Sequence, residues 1–91
     1  MTGKTEPTMS VSGRIIEIFS DGLATFKVQT RYGFALVWVY EEIEVNFRIG
    51  ADFNIDEAPV AFAEGYVIAI VKPGNCFFLN GTRYETAITK E

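Results

Sequence analysis

The chain has 91 residues, the size of one domain, and its 48% hydrophobic and 14% aromatic content excludes general disorder, which needs low hydrophobicity and high net charge. A net charge of −4 disfavours loose attraction to phosphate polymers or anionic lipid, while leaving room for a local basic patch. There is no histidine, so the commonest general base, transition-metal ligand and pH switch are missing, and Cys76 is the only cysteine, so no internal disulfide can form.

Residues 1–9, MTGKTEPTM, show no periodicity and are expected to form a disordered tail ahead of a single β-barrel domain over residues 10–91. The opening stretch has no apolar segment of the signal-peptide kind. The longest apolar runs, FALVWVY and YVIAIV, fall far short of the ~20 residues a membrane helix needs. A cytoplasmic, reducing setting with no membrane contact is therefore the expectation.

From Ser10 onward, turn residues punctuate short β-type runs. SVSGRIIEIF is rich in β-branched and aromatic residues and ends at Ser20-Asp21-Gly22, a turn cluster. In LATFKVQT, Ala24, Phe26 and Val28 alternate with Thr25, Lys27 and Gln29, the period of a half-buried strand. Tyr32-Gly33 offers a reversal, and FALVWVY follows. A helix over residues 34–47 is the competing reading, but the β-branched and aromatic density and the missing N-cap favour strand. Ile43, Val45, Phe47 and Ile49 alternate with Glu44, Asn46 and Arg48, which predicts a further strand with one wet face. In ADFNIDE, Phe53 and Ile55 alternate with Asp52, Asn54 and Asp56. Residues 56–65 fit a loop, a short helix or an edge strand, since Pro59 forbids a normal central strand. GYVIAIVK reads as a buried strand and Pro73-Gly74-Asn75 as a turn. CFFL and TRYETAI flank Asn80-Gly81, the strongest short hairpin signal. The sum is an all-β fold, a small single-domain barrel of five to seven short antiparallel strands of OB or SH3-like kind.

Gly13, Ile15, Glu17 and Ile18 are followed by Asp21-Gly22-Leu23-Ala24-Thr25-Phe26-Lys27-Val28, a glycine turn at Gly33, and Arg48-Ile49-Gly50-Ala51-Asp52-Phe53-Asn54-Ile55. This order over residues 10–55 resembles the OB-type barrel, with the S1-like RNA-binding version closest in rhythm. That version opens with a glycine-containing strand, turns at a glycine, runs a second alternating strand and later carries a V-G-D-x-V stretch. Here Ala51 adds one residue to that stretch, the chain is acidic, and residues 56–65 have no counterpart. The resemblance implies single-stranded RNA binding on a sheet face.

Other motifs have plainer explanations. Gly3-Lys4-Thr5 lacks the upstream glycine and strand of a phosphate loop. Asp52-x-Asn54-x-Asp56 has Glu57 where a calcium loop turns on glycine, and Ala63 where it needs a bidentate glutamate, so no metal site is expected. Asn80-Gly81-Thr82 spells a glycosylation sequon but reads as a turn. Glu41, Glu42 and Glu44 have no nucleophile beside them and read as a charged patch limiting aggregation. Cys76, before Phe77-Phe78, reads as buried packing. Neither a catalytic residue nor a cofactor is expected. A small enzyme subunit would need a partner to bring the missing groups.

FALVWVY leaves the central question. Phe34, Leu36, Trp38 and Tyr40 share one strand face, and Ala35, Val37 and Val39 the other. Large apolar groups are mostly interior, so the bulky row is expected inward. Ala35, Val37 and Val39 would then form an outer apolar strip that binds a protein partner or a second copy, making the chain a non-catalytic interaction module. The alternative turns the bulky row outward. Lys27, Arg31, Tyr32, Phe34 and Trp38 would then bind single-stranded nucleic acid by stacking and phosphate contact. Residues 27–40 carry Lys27 and Arg31 and no acid, a small basic island in an acidic chain. Exposure of Val37 or of Trp38 decides between the two surfaces.

Overall fold

The computed structural model describes residues 7–19, 24–40, 43 and 45–85. They form seven strands: β1 (Thr8–Ile18), β2 (Phe26–Thr30), β3 (Gly33–Val39), β4 (Asp52–Ala63), β5 (Tyr66–Val71), β6 (Cys76–Leu79) and β7 (Thr82–Glu85). The sheet order is β1-β2-β3-β5-β4-β6-β7, and β4 also pairs with β1. The first five strands therefore close into a barrel, and the β6–β7 hairpin extends the sheet from β4. Every pairing is antiparallel except β3 with β5, which is parallel over Leu36↔Ile68 to Val39↔Val71. No described segment is helical, and no helix is long and apolar enough to cross a membrane. The fold is all-β, as the turn spacing predicts, and is compatible with an OB-like or SH3-like barrel.

Two long strands make the closure possible by changing partners. β1 pairs with β4 over Thr8–Arg14 and with β2 over Arg14–Ile18. Gly13 sits where these ladders meet, and a Cβ there would lie 1.9 Å from the Gln29 carbonyl oxygen, so only glycine lets β2 approach. In β4, Asp56 and Glu57 together oppose the single residue Ser10, between the pairs Val11↔Ile55 and Met9↔Ala58. This bulge puts Glu57 at φ +53° and aims its N–H at the Ser10 hydroxyl oxygen, 3.3 Å away. Before the bulge β4 pairs with β6 (Phe53–Ile55), and after it with β5 (Val60–Ala63). Pro59 lies between those two stretches and pairs only with Thr8, the first residue of β1, so its missing N–H falls at the end of a ladder rather than in the middle of one. Residues 57–63 are strand, and Glu64-Gly65 turns the chain into β5.

The barrel interior is aromatic and apolar. Phe26, Phe53 and Phe77 are fully buried, and no described polar side chain is. Phe47 joins them from the β3–β4 connection, with ring centroids 4.8 Å from Phe26, 5.8 Å from Phe77 and 6.3 Å from Phe53. Phe53 meets Phe26 edge-on at 5.1 Å. Each fully buried ring contributes roughly 1.5–3 kcal/mol by leaving water, and each tilted pair adds about 0.5–1.5 kcal/mol. The strand expected over residues 43–49 does not form. The described residues there take no regular structure: Phe47 caps the core while Ile49 is exposed. Ile43, Val45 and Phe47 still pack against the core while Asn46 and Arg48 face solvent, so the predicted alternation holds as far as Phe47 without a strand forming.

The inward assignment of the bulky row is also corrected. Val37 is completely buried, and Ala35 and Val39 pack against the same core, whereas Phe34 and Trp38 point outward. With rings from β2, β4, β6 and the β3–β4 connection already inside, β3 has room only for small side chains. Thr8 and Met9, expected in the tail, belong to β1; residues 1–6 lie outside the described set.

Candidate functional site

The outer face of β2, β3 and β5 carries a second, smaller apolar cluster. Leu36 and Ile68 are paired across β3 and β5 and buried together with Ala24, with Phe19 and Ala63 packed on them. Leu36 is thus the one bulky residue of its row that is covered. It separates Phe34 from Trp38 along the strand. A shallow groove of about 350 Å3 opens here. It is lined by Glu17 of β1, Lys27 of β2, Phe34 and Leu36 of β3, Phe19 and Ala24 of the β1–β2 connection and Tyr66 at the β4–β5 hairpin. A second hollow, about 720 Å3, shares Phe34 and runs between Ser10 and Ser12 of β1 and the β2–β3 turn. Phe34 therefore stands between two adjoining depressions.

The basic island is more compensated than the β2–β3 segment alone implies. Lys27 Nζ lies 4.4 Å from the centre of the Phe34 ring and 3.5 Å from Glu17 Oε1 of β1. A cation over a ring at this distance is held by the ring's negative face. Glu17 reaches Lys27 through a bulge. The register runs Ile15↔Val28 and then Glu17↔Lys27, leaving Ile16 as the extra residue. Without that insertion the residue facing Lys27 would be Ile16. Arg31 and Tyr32 form the tip of the β2–β3 hairpin. The Thr30 hydroxyl donates to the Gly33 carbonyl (2.7 Å) and accepts from the Tyr32 N–H (3.1 Å), which fixes the turn. Tyr32 is 89% exposed. Trp38 is 41% exposed and leans on Tyr40, with centroids 4.9 Å apart.

The residues of the nucleic-acid reading thus share one side of the β2–β3 hairpin. Lys27 and Phe34 touch, Arg31 and Tyr32 project from the tip, and Trp38 stands beyond Leu36. Ala35, Val37 and Val39 do not form a surface strip, since they face the barrel interior. Glu17, Phe19 and Tyr66 complete the groove and were not among the expected site residues. The bulge hides Glu17 from a period-two reading, and Tyr66 enters only once the β4–β5 hairpin is known. That hairpin also presents Phe62 and Val67 as an exposed cross-strand pair, 70% and 45% accessible.

Elsewhere, Asp52, Asn54 and Asp56 lie on the wet face of β4 and Asp52 pairs with Arg14 at 3.5 Å. No group of three or more potential metal-ligating His, Cys, Asp or Glu side chains converges among the described residues. Asn80-Gly81 is the β6–β7 turn, and Cys76 is a free, half-buried thiol rather than a fully buried one. The motif at residues 3–5 and the acidic trio Glu41, Glu42 and Glu44 fall outside the described residues. Comparison with protein-family models, curated proteins and solved structures finds no match for this chain.

Proposed function

We propose that the barrel is of the OB type, S1-like in rhythm, and serves as a non-catalytic binding module for single-stranded nucleic acid. The ring order β1-β2-β3-β5-β4, with β1 shared by two ladders, supports the OB assignment. OB barrels bind oligonucleotides on the β2–β3 face between the β1–β2 and β4–β5 loops, where the groove of Phe34, Lys27 and Tyr66 lies. The observation that carries the reading is the orientation of β3: Val37 is wholly buried while Phe34 and Trp38 face solvent. Exposed rings flanking the buried Leu36 suit base stacking, worth about 1–3 kcal/mol per base, and Lys27 and Arg31 supply phosphate contacts. Trp38 fluorescence, followed while short RNA and DNA oligonucleotides are titrated at low salt, tests it. A saturable change is expected. Unchanged emission at every salt concentration removes the proposal.

A second reading keeps the interaction module but moves its surface. Phe62 and Val67 sit side by side on the β4–β5 hairpin, well exposed, and such a pair suits a protein partner or a second copy. Sedimentation at micromolar concentration tests the self-association form; a strictly monomeric species counts against it.

A further inference from the structure

Lys27 is the only cation among the described residues that line the Phe34 groove, and its charge is already answered. The bulge at Ile16 costs β1 an unpaired residue, and its result is to turn Glu17 onto the outer face opposite Lys27. Bulges next to binding sites commonly re-aim a side chain in this way. The pair is poised rather than locked: Glu17 is about half exposed, the separation is 3.5 Å, and Lys27 keeps its contact with the Phe34 ring.

Resting on the nucleic-acid reading above, we infer that Glu17 is a built-in competitor for Lys27, a charge gate that makes the groove select for stacking ahead of phosphate. A strand that only brings phosphates must displace Glu17 for one contact and meets its repulsion. A strand whose base stacks on Phe34 gains the ring contact first and takes Lys27 afterwards. Binding is accordingly stacking-dominated with a shallow salt dependence. Lys27 and Arg31 together limit the slope of log K against log salt to about −1.4 for single strands, and Glu17 lowers it further towards about −0.7.

The test compares wild type with Glu17→Gln, which keeps shape and removes charge, on an oligothymidylate and on a peptide nucleic acid of the same base sequence. The variant is expected to bind the oligothymidylate roughly three- to tenfold more tightly at low salt, and its salt slope to steepen by about 0.7. Its affinity for the uncharged analogue stays that of wild type. Adding Lys27→Gln to the variant returns the slope to its wild-type value. A variant that matches wild type in both affinity and slope overturns the gate while leaving the nucleic-acid reading intact. An equal gain for the uncharged analogue overturns it too, because the effect is then not electrostatic. If neither protein binds either strand, both the gate and the reading beneath it fall.

Discussion

On the inner face of β3, Ala35, Val37 and Val39 meet the cluster that holds Phe26, Phe53 and Phe77; on the outer face, Leu36 packs with Ile68 and Ala24, while Phe34 and Trp38 on either side of it are exposed. Both faces are apolar, yet the larger side chains are the ones left partly in water. Side-chain size therefore does not choose the buried side of this strand. The choice is made by the volume that other strands have already filled, and what remains for β3 is a narrow space suited to alanine and valine. Apolar area on the outer face in turn is free to serve contact rather than stability.

That division can be broken most severely from inside. Phe53→Ala removes a fully buried ring that touches three others, and a loss of about 3–5 kcal/mol in chemical denaturation is expected. Gly13→Ala should cost somewhat less, roughly 2–3 kcal/mol, because β1 and β2 must part to admit a methyl group. A denaturation midpoint equal to wild type for either variant contradicts the packing described. Outside, the effect moves from stability to binding. Phe34→Ala is expected to weaken oligonucleotide binding by about 1–3 kcal/mol in a fluorescence titration, with the melting temperature nearly unmoved. Phe62→Ser should alter stability by no more than about 0.5 kcal/mol, as exposed positions do. Any change in its sedimentation coefficient would speak for the hairpin as a self-association surface.

Much of the fold was legible because the physics was local. β2 shows its alternation, and Asn80-Gly81 announces its hairpin because asparagine and glycine both accept positive φ, here +53° and +82°. The β4–β5 turn has the same geometry, with Glu64 at +51° and Gly65 at +84°, but glutamate gives no such notice. The pair Ala63↔Tyr66 on either side holds it there, and that pairing depends on the rest of the sheet. So Tyr66, and with it one side of the groove, could not be read from the chain. Residues 43–49 have strand-like alternation, and Ile43, Val45 and Phe47 do pack against the core, but the described residues there join no ladder, because pairing depends on which neighbours the rest of the sheet leaves free. Glu17 was hidden because one bulged residue, Ile16, resets the alternation that sequence reading depends on. Lys27, Phe34 and Trp38 were visible as candidates. Which way they faced was a matter of whole-molecule volume.

Closure also depends on pairs that lie far apart along the chain. β3 has its parallel partner in β5, far downstream, and β1 waits for β4. A growing polypeptide that stops short of Val71 has nothing to lay beside Val39, and its Trp38 and Phe34 stay on a half-made ribbon. Pairings across such long stretches of chain come late and slowly. A chain cut before β5 would leave Leu36 without Ile68 and the groove without Tyr66.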